Sequence, residues 1–284
     1  VSNTLESYFE SIKEDLLLNA EADTTRMALH EFESGWNNLA GQDPTKYLQT
    51  KYIDENPNEA GKKHLLDVAT DGTAYSTSHA VYHPWFRSVL TRHDYYDIFL
   101  IDAKGDVVYT VYKERDFATN LVNGQWKDST LGHLYREIKE NPEKDKIYFE
   151  DFKAYSPSNN IPAAFVGTAI LDPKTKAFLG VIAYQMPIGR INEITQISND
   201  VSASMNVHLV GKDHLLRNDP DTTDNTDPIL KEKIDFDAID KGLAGKSGVE
   251  WEMDAGKNSL SSYAPIDAFG TKWTLLVNVL ETEA

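Results

Sequence analysis

Residues 95–111 read YYDIFLIDAKGDVVYTV, and this stretch decides the fold class. The run 97–102 (DIFLID) is rich in β-branched and aromatic residues, and the run 107–111 (VVYTV) is again apolar. Between them, residues 103–106 (AKGD) contain the glycine and the aspartate that are typical of a tight turn. Two apolar runs joined by so short a polar segment predict a β-hairpin of antiparallel strands.

The residues that follow the hairpin extend it into an antiparallel sheet. A helix is predicted around Ser129 to Lys139, closed by Asn141-Pro142. Three strands are predicted over Lys146 to Phe152, Ala163 to Leu171 and Ala177 to Met186, with a turn at 172–176. The order of one module is therefore hairpin, helix and three strands.

The second half of the chain repeats this order. A second hairpin is predicted from residues 206–210 (NVHLV) and 214–216 (HLL), and a helix from Ile229 to Leu243. Strands are predicted over Gly248 to Met253, Ser259 to Ile266 and Thr271 to Leu280. A helix from Ile188 to Ser204 is expected to join the two modules.

The chain begins with the pattern of a long amphipathic helix. Its apolar residues recur every three or four positions; they are Leu5, Phe9, Ile12, Leu16 and Ala20, and then Leu29, Phe32, Trp36 and Leu39. Residues 41–44 (GQDP) end the helix, so it is predicted from Asn3 to Ala40. A short helix from Thr45 to Tyr52 and a polar linker follow. A homodimer through the first helix is a further hypothesis, because its apolar stripe is long.

Composition excludes several classes of function. The chain has 284 residues, no cysteine and a formal charge of −17, from 45 acidic and 28 basic residues. This acidity argues against nucleic-acid binding and against a helix lying on an anionic membrane. Without cysteine, disulfides, thiolate metal sites and cysteine nucleophiles are excluded. No run of about 18 apolar residues occurs, so no membrane-spanning helix is predicted within this sequence. Because the chain opens Val1-Ser2-Asn3, we expect a domain cut from a longer protein.

Several stretches resemble double Cache sensor domains, also called tandem PDC domains. They are 95–102 (YYDIFLID), 105–109 (GDVVY), 113–114 (KE), 116–121 (DFATNL), 151–158 (DFKAYSPS) and 162–165 (PAAF). Such domains are the extracytoplasmic sensors of bacterial histidine kinases, chemoreceptors and cyclases. The quoted motifs cover roughly residues 80 to 190, and the order of elements extends the resemblance over nearly the whole chain.

The resemblance implies an α+β fold, with a long N-terminal helix followed by two tandem PAS-like (Cache/PDC) modules with antiparallel sheets. Residues 1–57 would form the long helix and a connecting helix. Residues 58–190 would form the membrane-distal module, which carries the ligand pocket, and residues 191–284 the membrane-proximal module. The domain would lie in the periplasm or outside the cell, anchored in the inner membrane by segments of the full-length protein.

In the amino-acid-binding branch of this family, an Arg-x-Trp-Tyr motif grips the ligand carboxylate. The matching stretch here is 83–86 (HPWF), in which Trp85 keeps its place. His83 stands at the arginine position and Phe86 at the tyrosine position. Because imidazole does not replace a bidentate guanidinium clamp, this departure argues against amino-acid binding.

Eight residues around the distal sheet supply the aromatic walls and convergent polar groups of a small-ligand pocket. They are His83, Trp85, Arg87, Tyr112, Lys113, Asp116, Tyr155 and Ser158. The competing interpretation is that Trp85 and Tyr155 are core aromatics and that Lys113 and Asp116 pair locally. The hypothesis is a small organic anion or polar metabolite held by Arg87 or Lys113.

Other motifs predict neither a metal, a cofactor nor catalysis. His79 and His83 have the spacing of a two-histidine metal site, but no third ligand is nearby and Pro84 follows. The acidic loop 219–227 lacks the glycine and glutamate of a calcium loop. Residues 242–247 (GLAGKS) are two residues short of a phosphate-binding loop.

The predicted function is therefore ligand sensing for a bacterial transmembrane receptor, above all a sensor histidine kinase, with no enzymatic activity in this chain. The same sensor on a chemoreceptor or a diguanylate cyclase is the first alternative. A periplasmic solute-binding protein and a hydrolase are the others; the former normally has parallel strands joined by crossover helices, unlike the hairpins predicted here.

Overall fold

A computed structural model of the protein describes residues 1–39, 41–196, 205–222, 227–254 and 257–282. The chain divides into two compact units. One comprises Lys13–Met186, and the other comprises Val1–Ile12 together with Pro187–Ala284. No helix in the described ranges is both long and apolar enough to cross a membrane.

The unit Lys13–Met186 is built on a five-stranded antiparallel sheet. Its strands are β1 (Asp97–Asp102), β2 (Val107–Thr110), β3 (Tyr148–Tyr155), β4 (Ile161–Leu171) and β5 (Phe178–Gln185). The spatial order is β2-β1-β5-β4-β3, and every neighbouring pair is antiparallel. The predicted hairpin is confirmed, because β1 pairs with β2 through Phe99↔Thr110 and Leu100↔Tyr109.

The two faces of this sheet are covered by different helices. Side chains alternate between the faces along each strand. Phe99, Ile101 and Ala183 point to one face, where they pack in a core with α5 (Thr130–Glu140); we call it the α5 face. Tyr109 lies on the opposite face, which we call the α4 face after the helix α4 (Ala74–His93).

On the α4 face, the ring of Tyr109 stacks on Phe32 of α2 (Asp23–Asn37), with 4.7 Å between ring centroids. The helix α2 also crosses α4 closely. Between these helices the chain forms α3 (Pro44–Gln49), a π-helical turn (Thr50–Asp54) and a 3₁₀ turn (Lys63–Leu65).

The N-terminal helix is interrupted once. The structure has α1 (Ser2–Glu21) and α2, separated by Ala22 in an extended conformation with φ −69° and ψ 135°. The Arg26 guanidinium donates to the carbonyl oxygen of Glu21 at 2.6 Å and so satisfies an acceptor at the helix end. The predicted apolar positions on α1, from Leu5 to Ala20, are buried within the chain. Homodimerisation through this helix stays a prediction, and Ala40 lies outside the described residues.

The 20-residue helix α4 was missed by the sequence reading, which treated the residues before β1 as a polar linker. The buried positions of α4 include Tyr75, His79, Tyr82 and His83. Because these residues are not purely apolar, the sequence lacks the apolar periodicity that predicts an amphipathic helix. Pro84 also lies inside the helix. Thr73 caps the N-terminus, since its hydroxyl accepts from Ser76 N–H at 3.2 Å.

The second unit contains a four-stranded antiparallel sheet in its described residues. Its strands are β6 (Asn206–Val210), β7 (Gly248–Asp254), β8 (Lys257–Ala268) and β9 (Thr271–Leu280), in the order β6-β9-β8-β7. The predicted strand 214–216 is reduced to isolated bridges at Leu215 and Leu216. The α+β fold with two antiparallel sheets is thus confirmed.

One helix of this unit is shorter than predicted, and another is described only in part. The helix α7 spans Asp237–Leu243 instead of starting at Ile229. The helix α6 spans Ile188–Gln196, and the remainder of its predicted range, 197–204, lies outside the described residues. The core packs Ala238 and Ile239 of α7 against Leu276 of β9.

The crossing of α2 and α4 depends on Gly35. A Cβ atom at this position would lie 2.7 Å from Tyr75 Cα and 2.9 Å from Tyr75 N, and backbone atoms cannot move aside locally. We therefore expect Gly35→Ala to lower the free energy of unfolding by about 1–3 kcal/mol, as overpacked cores do. Chemical denaturation of the purified protein measures this change.

Gly189→Ala is the matched control, because a Cβ atom on this α6 residue meets no atom of the described residues within 4 Å. Alanine there is expected to be neutral or slightly stabilising, since it favours helix. Equal stability of the two variants would contradict the close helix crossing.

Candidate ligand-binding site

Asp97 connects the first two strands at the edge of the α5 face. It is fully buried, and its Oδ1 accepts hydrogen bonds from the backbone N–H groups of Ile98 (2.7 Å), Val111 (2.9 Å) and Tyr112 (2.9 Å). Its Oδ2 has no hydrogen-bond partner among the described residues. Burial raises the pKa of Asp97 well above its usual value, and the neighbouring Asp116 raises it further.

Asp116 forms the second buried carboxyl group. The hydroxyl of Tyr155 donates to its Oδ2 at 2.7 Å, whereas its Oδ1 has no partner in the described part of the chain. Burial raises the pKa of Asp116 to about 7. The Tyr155 ring lies edge-on to Phe165 with 4.8 Å between centroids, so this pair is held against the α5 face.

Glu114 brings a third carboxyl group to the same region. It accepts hydrogen bonds from the hydroxyl of Tyr96 at 3.0 Å and from the hydroxyl of Ser158. Burial raises the pKa of Glu114. Lys113, just before it, has a left-handed backbone with φ 62°, which is uncommon for a residue with a long side chain.

Gln185 completes the arrangement from the end of β5. It is directly opposite Asp97 on one side and Phe165 on the other, and it lies two residues beyond Ala183 on the α5 face. Its side chain is 2% exposed, and Oε1 has no partner within the described ranges. Asp97, Glu114, Asp116 and Gln185 are called the acceptor cluster below.

His83, by contrast, is hydrogen-bonded through both ring nitrogens on the α4 face. Its Nε2 lies 2.7 Å from the carbonyl oxygen of His64, and its Nδ1 lies 2.7 Å from the hydroxyl of Tyr109. Because a carbonyl only accepts, Nε2 carries the proton and Nδ1 accepts from Tyr109. Burial lowers the pKa of His83 to about 2, so the ring is neutral. Both ring nitrogens are therefore occupied within the protein.

The two predicted cations are also engaged on this side. The Arg87 guanidinium lies 2.6 Å from Asp67 Oδ1 and donates to the carbonyl of His64 at 2.9 Å. The Lys113 ammonium donates to the carbonyl of Thr110 and lies 4.3 Å from the ring centroid of Tyr109. Burial lowers the pKa of Lys113 to about 7, although Asp97 opposes this shift.

The sheet separates the eight residues predicted from the sequence. His83, Trp85, Arg87 and Lys113 lie with the α4 face, whereas Asp116, Tyr155 and Ser158 lie with the acceptor cluster. Trp85 is half-buried against Phe86, with 4.7 Å between ring centroids. Tyr112 lies at the margin, where its ring packs on His64 and on Tyr96. Ligand contact by any of the eight stays a prediction.

Sequence reasoning missed Asp97, Glu114 and Gln185. Asp97 had a usable signal in the sequence. It is two residues before Phe99 and four before Ile101, so the three side chains must share one face of the strand. Glu114 lies inside a stretch that resembles the sensor family, next to Lys113. Gln185 gave no signal, since only the register of β5 places it beside Asp97.

The histidine pair His79 and His83 does not form a metal site in the described residues. The rings stack with 4.3 Å between centroids, and His79 Nδ1 lies 2.7 Å from the carbonyl of Asp67. No group of three histidine, aspartate or glutamate side chains within the described ranges is arranged to hold a metal ion.

A separate surface cavity of about 240 Å³ lies between α1, α2 and the turn after β4. Its cations already have partners: Lys144 lies 2.8 Å from Glu21, and Arg26 lies 2.5 Å from Asp23. The Lys144–Glu21 pair is solvent-exposed, and the cavity offers no unpaired buried group comparable to the acceptor cluster within the described residues. We therefore take the acceptor cluster as the candidate site.

The chain was compared with protein-family models, with curated protein sequences and with solved structures, and only solved structures match it. No protein-family model and no curated protein sequence matches the chain. Among solved structures, the extracellular domain of the putative histidine kinase vpHK1S-Z8 is similar with a TM-score of 0.50 and 12% identity, over 93% of this chain and 94% of that one. The chain thus shares the fold of this extracellular domain.

Two chemoreceptor domains are also similar, with lower TM-scores. The ligand-binding domain of Pseudomonas fluorescens CtaA with L-leucine has a TM-score of 0.45 and 13% identity, over 98% of this chain and 96% of that one. The ligand-binding domain of Pseudomonas aeruginosa PAO1 PctC with GABA has a TM-score of 0.47 and 13% identity, over 95% and 99%.

The raised pKa of Asp116 makes stability depend on pH in a defined direction. In the folded protein this carboxyl keeps its proton up to about pH 7, whereas in the unfolded chain it loses the proton near 3.8. The stabilisation that this group contributes to the folded state is therefore fully present below pH 3.8, and it is lost as the pH rises through about 7. The maximum loss is roughly 4 kcal/mol, at about 1.4 kcal/mol per pKa unit.

We expect the melting temperature of the wild type to fall more between pH 5 and pH 8 than that of Asp116→Asn, because asparagine cannot ionise. Asp128→Asn changes an exposed carboxyl near α5 and should follow the wild type. Parallel curves for the wild type and Asp116→Asn, measured by calorimetry, would contradict a buried titrating Asp116.

Proposed function

We propose that the chain is the extracytoplasmic ligand-sensing domain of a bacterial sensor histidine kinase. A small molecule would bind at the acceptor cluster, in the module of residues 58–190, which would be the membrane-distal one. The full-length protein would be anchored in the inner membrane, with this domain in the periplasm or outside the cell. The domain itself would perform no chemistry.

The unpaired oxygen atoms of the acceptor cluster carry this proposal. Asp97 Oδ2, Asp116 Oδ1 and Gln185 Oε1 are buried at one end of the α5 face without a partner among the described residues. Leaving a buried polar atom unpaired costs about 1–3 kcal/mol, so such atoms are rare in folded proteins. A molecule bound in this region would supply the missing hydrogen bonds.

The connections of the cluster suggest how binding would be transmitted. Asp97 ties the start of β1 to the end of β2, and Asp116 lies in the loop that follows β2. A ligand that pairs with both carboxyls would favour the arrangement in which these segments are close. It would shift the population only by the difference in its affinity for the two arrangements.

The alternatives differ in what they require of the site. A chemoreceptor or a diguanylate cyclase would use the same binding step and differ only in its cytoplasmic domain. A solute-binding protein is disfavoured by the antiparallel pairing of both sheets. Because carboxyl groups with raised pKa values also serve in acid–base catalysis, a turnover assay on esters, phosphates and glycosides distinguishes a hydrolase.

A metabolite panel followed by melting temperature tests the site. We expect at least one compound to stabilise the wild type and Arg87→Gln equally, because Arg87 lies with the α4 face. The same compound should stabilise Tyr155→Phe less, since this variant loses the hydroxyl that orients Asp116. Loss of the shift in Arg87→Gln with retention in Tyr155→Phe would place the ligand on the α4 side and contradict the proposal.

A further inference from the structure

We propose that the surface cavity between α1, α2 and the turn after β4 is a second binding site, for a small carboxylate with an apolar body. The ligand carboxylate would take the place of the Glu21 side chain among three cations of the protein. We call this site the junction cavity, because it lies where α1 ends and α2 begins. It belongs entirely to the unit Lys13–Met186 and shares no residue with the acceptor cluster, so the inference goes beyond the proposed function.

Three cations from separate segments line the junction cavity. They are Arg26 of α2, Lys144 of the loop before β3 and Lys176 of the turn after β4. The Lys144 ammonium lies 2.8 Å from the carboxylate of Glu21. The Lys176 ammonium instead donates to the neutral carbonyl oxygen of Pro173 at 2.8 Å, so its charge is available to a further anion.

The side chain of Glu21 marks the position of a carboxylate in this cavity. The hydrogen bond from Lys144 lowers the pKa of Glu21, and the charges of Lys144, Arg26 and Lys176 lower it further. The pair is exposed, since 54% of the Glu21 side chain and 58% of the Lys144 side chain are accessible to solvent. Water screens such pairs and they contribute little to stability, so a ligand carboxylate can exchange with Glu21 readily.

The charges of the lining favour a ligand with a single negative charge. Besides the three cations, the lining contains three carboxylates, which are Glu21, Asp145 and Asp172. Asp172 is held within its own turn, where its Oδ1 accepts from the N–H groups of Lys174 at 2.9 Å and Thr175 at 2.7 Å. When Glu21 leaves its position, one positive charge is in excess, and one ligand carboxylate restores the balance.

Another part of the lining is apolar. Ala20 and Ala169 are 6% and 7% exposed, and Leu17 and Leu171 are half-buried. The cavity volume of about 240 Å³ corresponds to about eight water molecules, at about 30 Å³ each. A ring or chain of about six carbons beside the carboxylate therefore fits the cavity, and it removes apolar surface from water.

The backbone at Lys176 is an independent indication of function. This residue has a left-handed conformation with φ 61°, which is uncommon for a long side chain. Glycine would adopt this conformation without strain at the end of the turn. Strained backbone positions cluster at ligand sites and switch regions. The turn thus holds a lysine beside the cavity in spite of the strain.

Exchange at Glu21 would act on the break in the N-terminal helix. Glu21 is the last residue of α1, and the next residue, Ala22, is extended. The Arg26 guanidinium donates to the carbonyl oxygen of Glu21 at 2.6 Å and so links the two helix ends. A ligand paired with Arg26 and Lys144 would release the Glu21 side chain at this link. The backbone around Ala22 is where binding is expected to have its largest effect.

The test titrates the protein with benzoate, cyclohexanecarboxylate and hexanoate and follows its backbone amides by NMR. Acetate lacks the apolar body, whereas benzyl alcohol and benzylamine keep the ring and change the charge. We expect the three acids to shift the amides of residues 17–26 and 168–176, acetate to bind more weakly, and the alcohol and the amine to leave these amides unshifted. Salt raised from about 0.1 M to about 1 M should weaken benzoate binding, because the Debye length falls from about 10 Å to about 3 Å.

Three variants give effects of different sign. Lys176→Gln removes one cation and should weaken benzoate binding about two- to fivefold, the range that an exposed ion pair allows. Glu21→Gln removes the competing carboxylate and should tighten binding by a similar factor. Lys174→Gln is the matched control, since it removes an exposed lysine of the same turn that does not line the cavity. The three side chains are exposed, so the variants should melt close to the wild type.

The outcomes decide the inference separately from the proposed function. Tighter binding in Glu21→Gln together with weaker binding in Lys176→Gln supports the junction cavity. Failure of all three acids to bind, equal benzoate affinity in the wild type and both variants, or weaker binding in Glu21→Gln would overturn it. Benzylamine bound as tightly as benzoate at the same amides would overturn the ligand class. Each of these failures leaves the proposed function standing, because that proposal rests on the acceptor cluster and on the metabolite panel.

Discussion

The structure of the larger unit depends on one buried carboxyl oxygen. Asp97 Oδ1 accepts hydrogen bonds from three backbone N–H groups, one in its own strand and two just after β2, at Val111 and Tyr112, and thereby fixes the edge of the first hairpin. The same bonds hold the carboxyl inside the protein, where its second oxygen has no partner among the described residues. An interaction that stabilises the fold thus also creates an unsatisfied group at the candidate site.

The two faces of the sheet differ in how their polar groups are satisfied. On the α4 face, His83 and Arg87 hydrogen-bond to the same carbonyl of His64, and the Lys113 ammonium is held by Thr110 and Tyr109. At the end of the α5 face, acceptors outnumber the donors that reach them. The first arrangement is that of a structural network, and the second is the one that we propose a bound molecule completes.

The sequence predicts the sheets well because their signals are local. The β1–β2 hairpin and the strand β9 follow from short apolar runs and turn residues, and the structure has β9 over the predicted range. The helix α4 was missed because tyrosine and histidine fill its buried positions. The site was predicted only in part, since residues adjacent in sequence, such as Lys113 and Glu114, lie with opposite faces. Pairing of Asp97 with Gln185 depends on a register between strands far apart in the chain.

The protonation of the two aspartates in the free protein is the central claim, and carbon-13 NMR of the aspartate carboxyl groups measures it directly. Asp97→Asn and Asp116→Asn assign the two resonances. The account predicts that Asp116 titrates with a midpoint of about 7 and that Asp97 keeps its proton well above the usual range for aspartate. Titration of both carboxyls near 3.8, as for exposed aspartate, would contradict it.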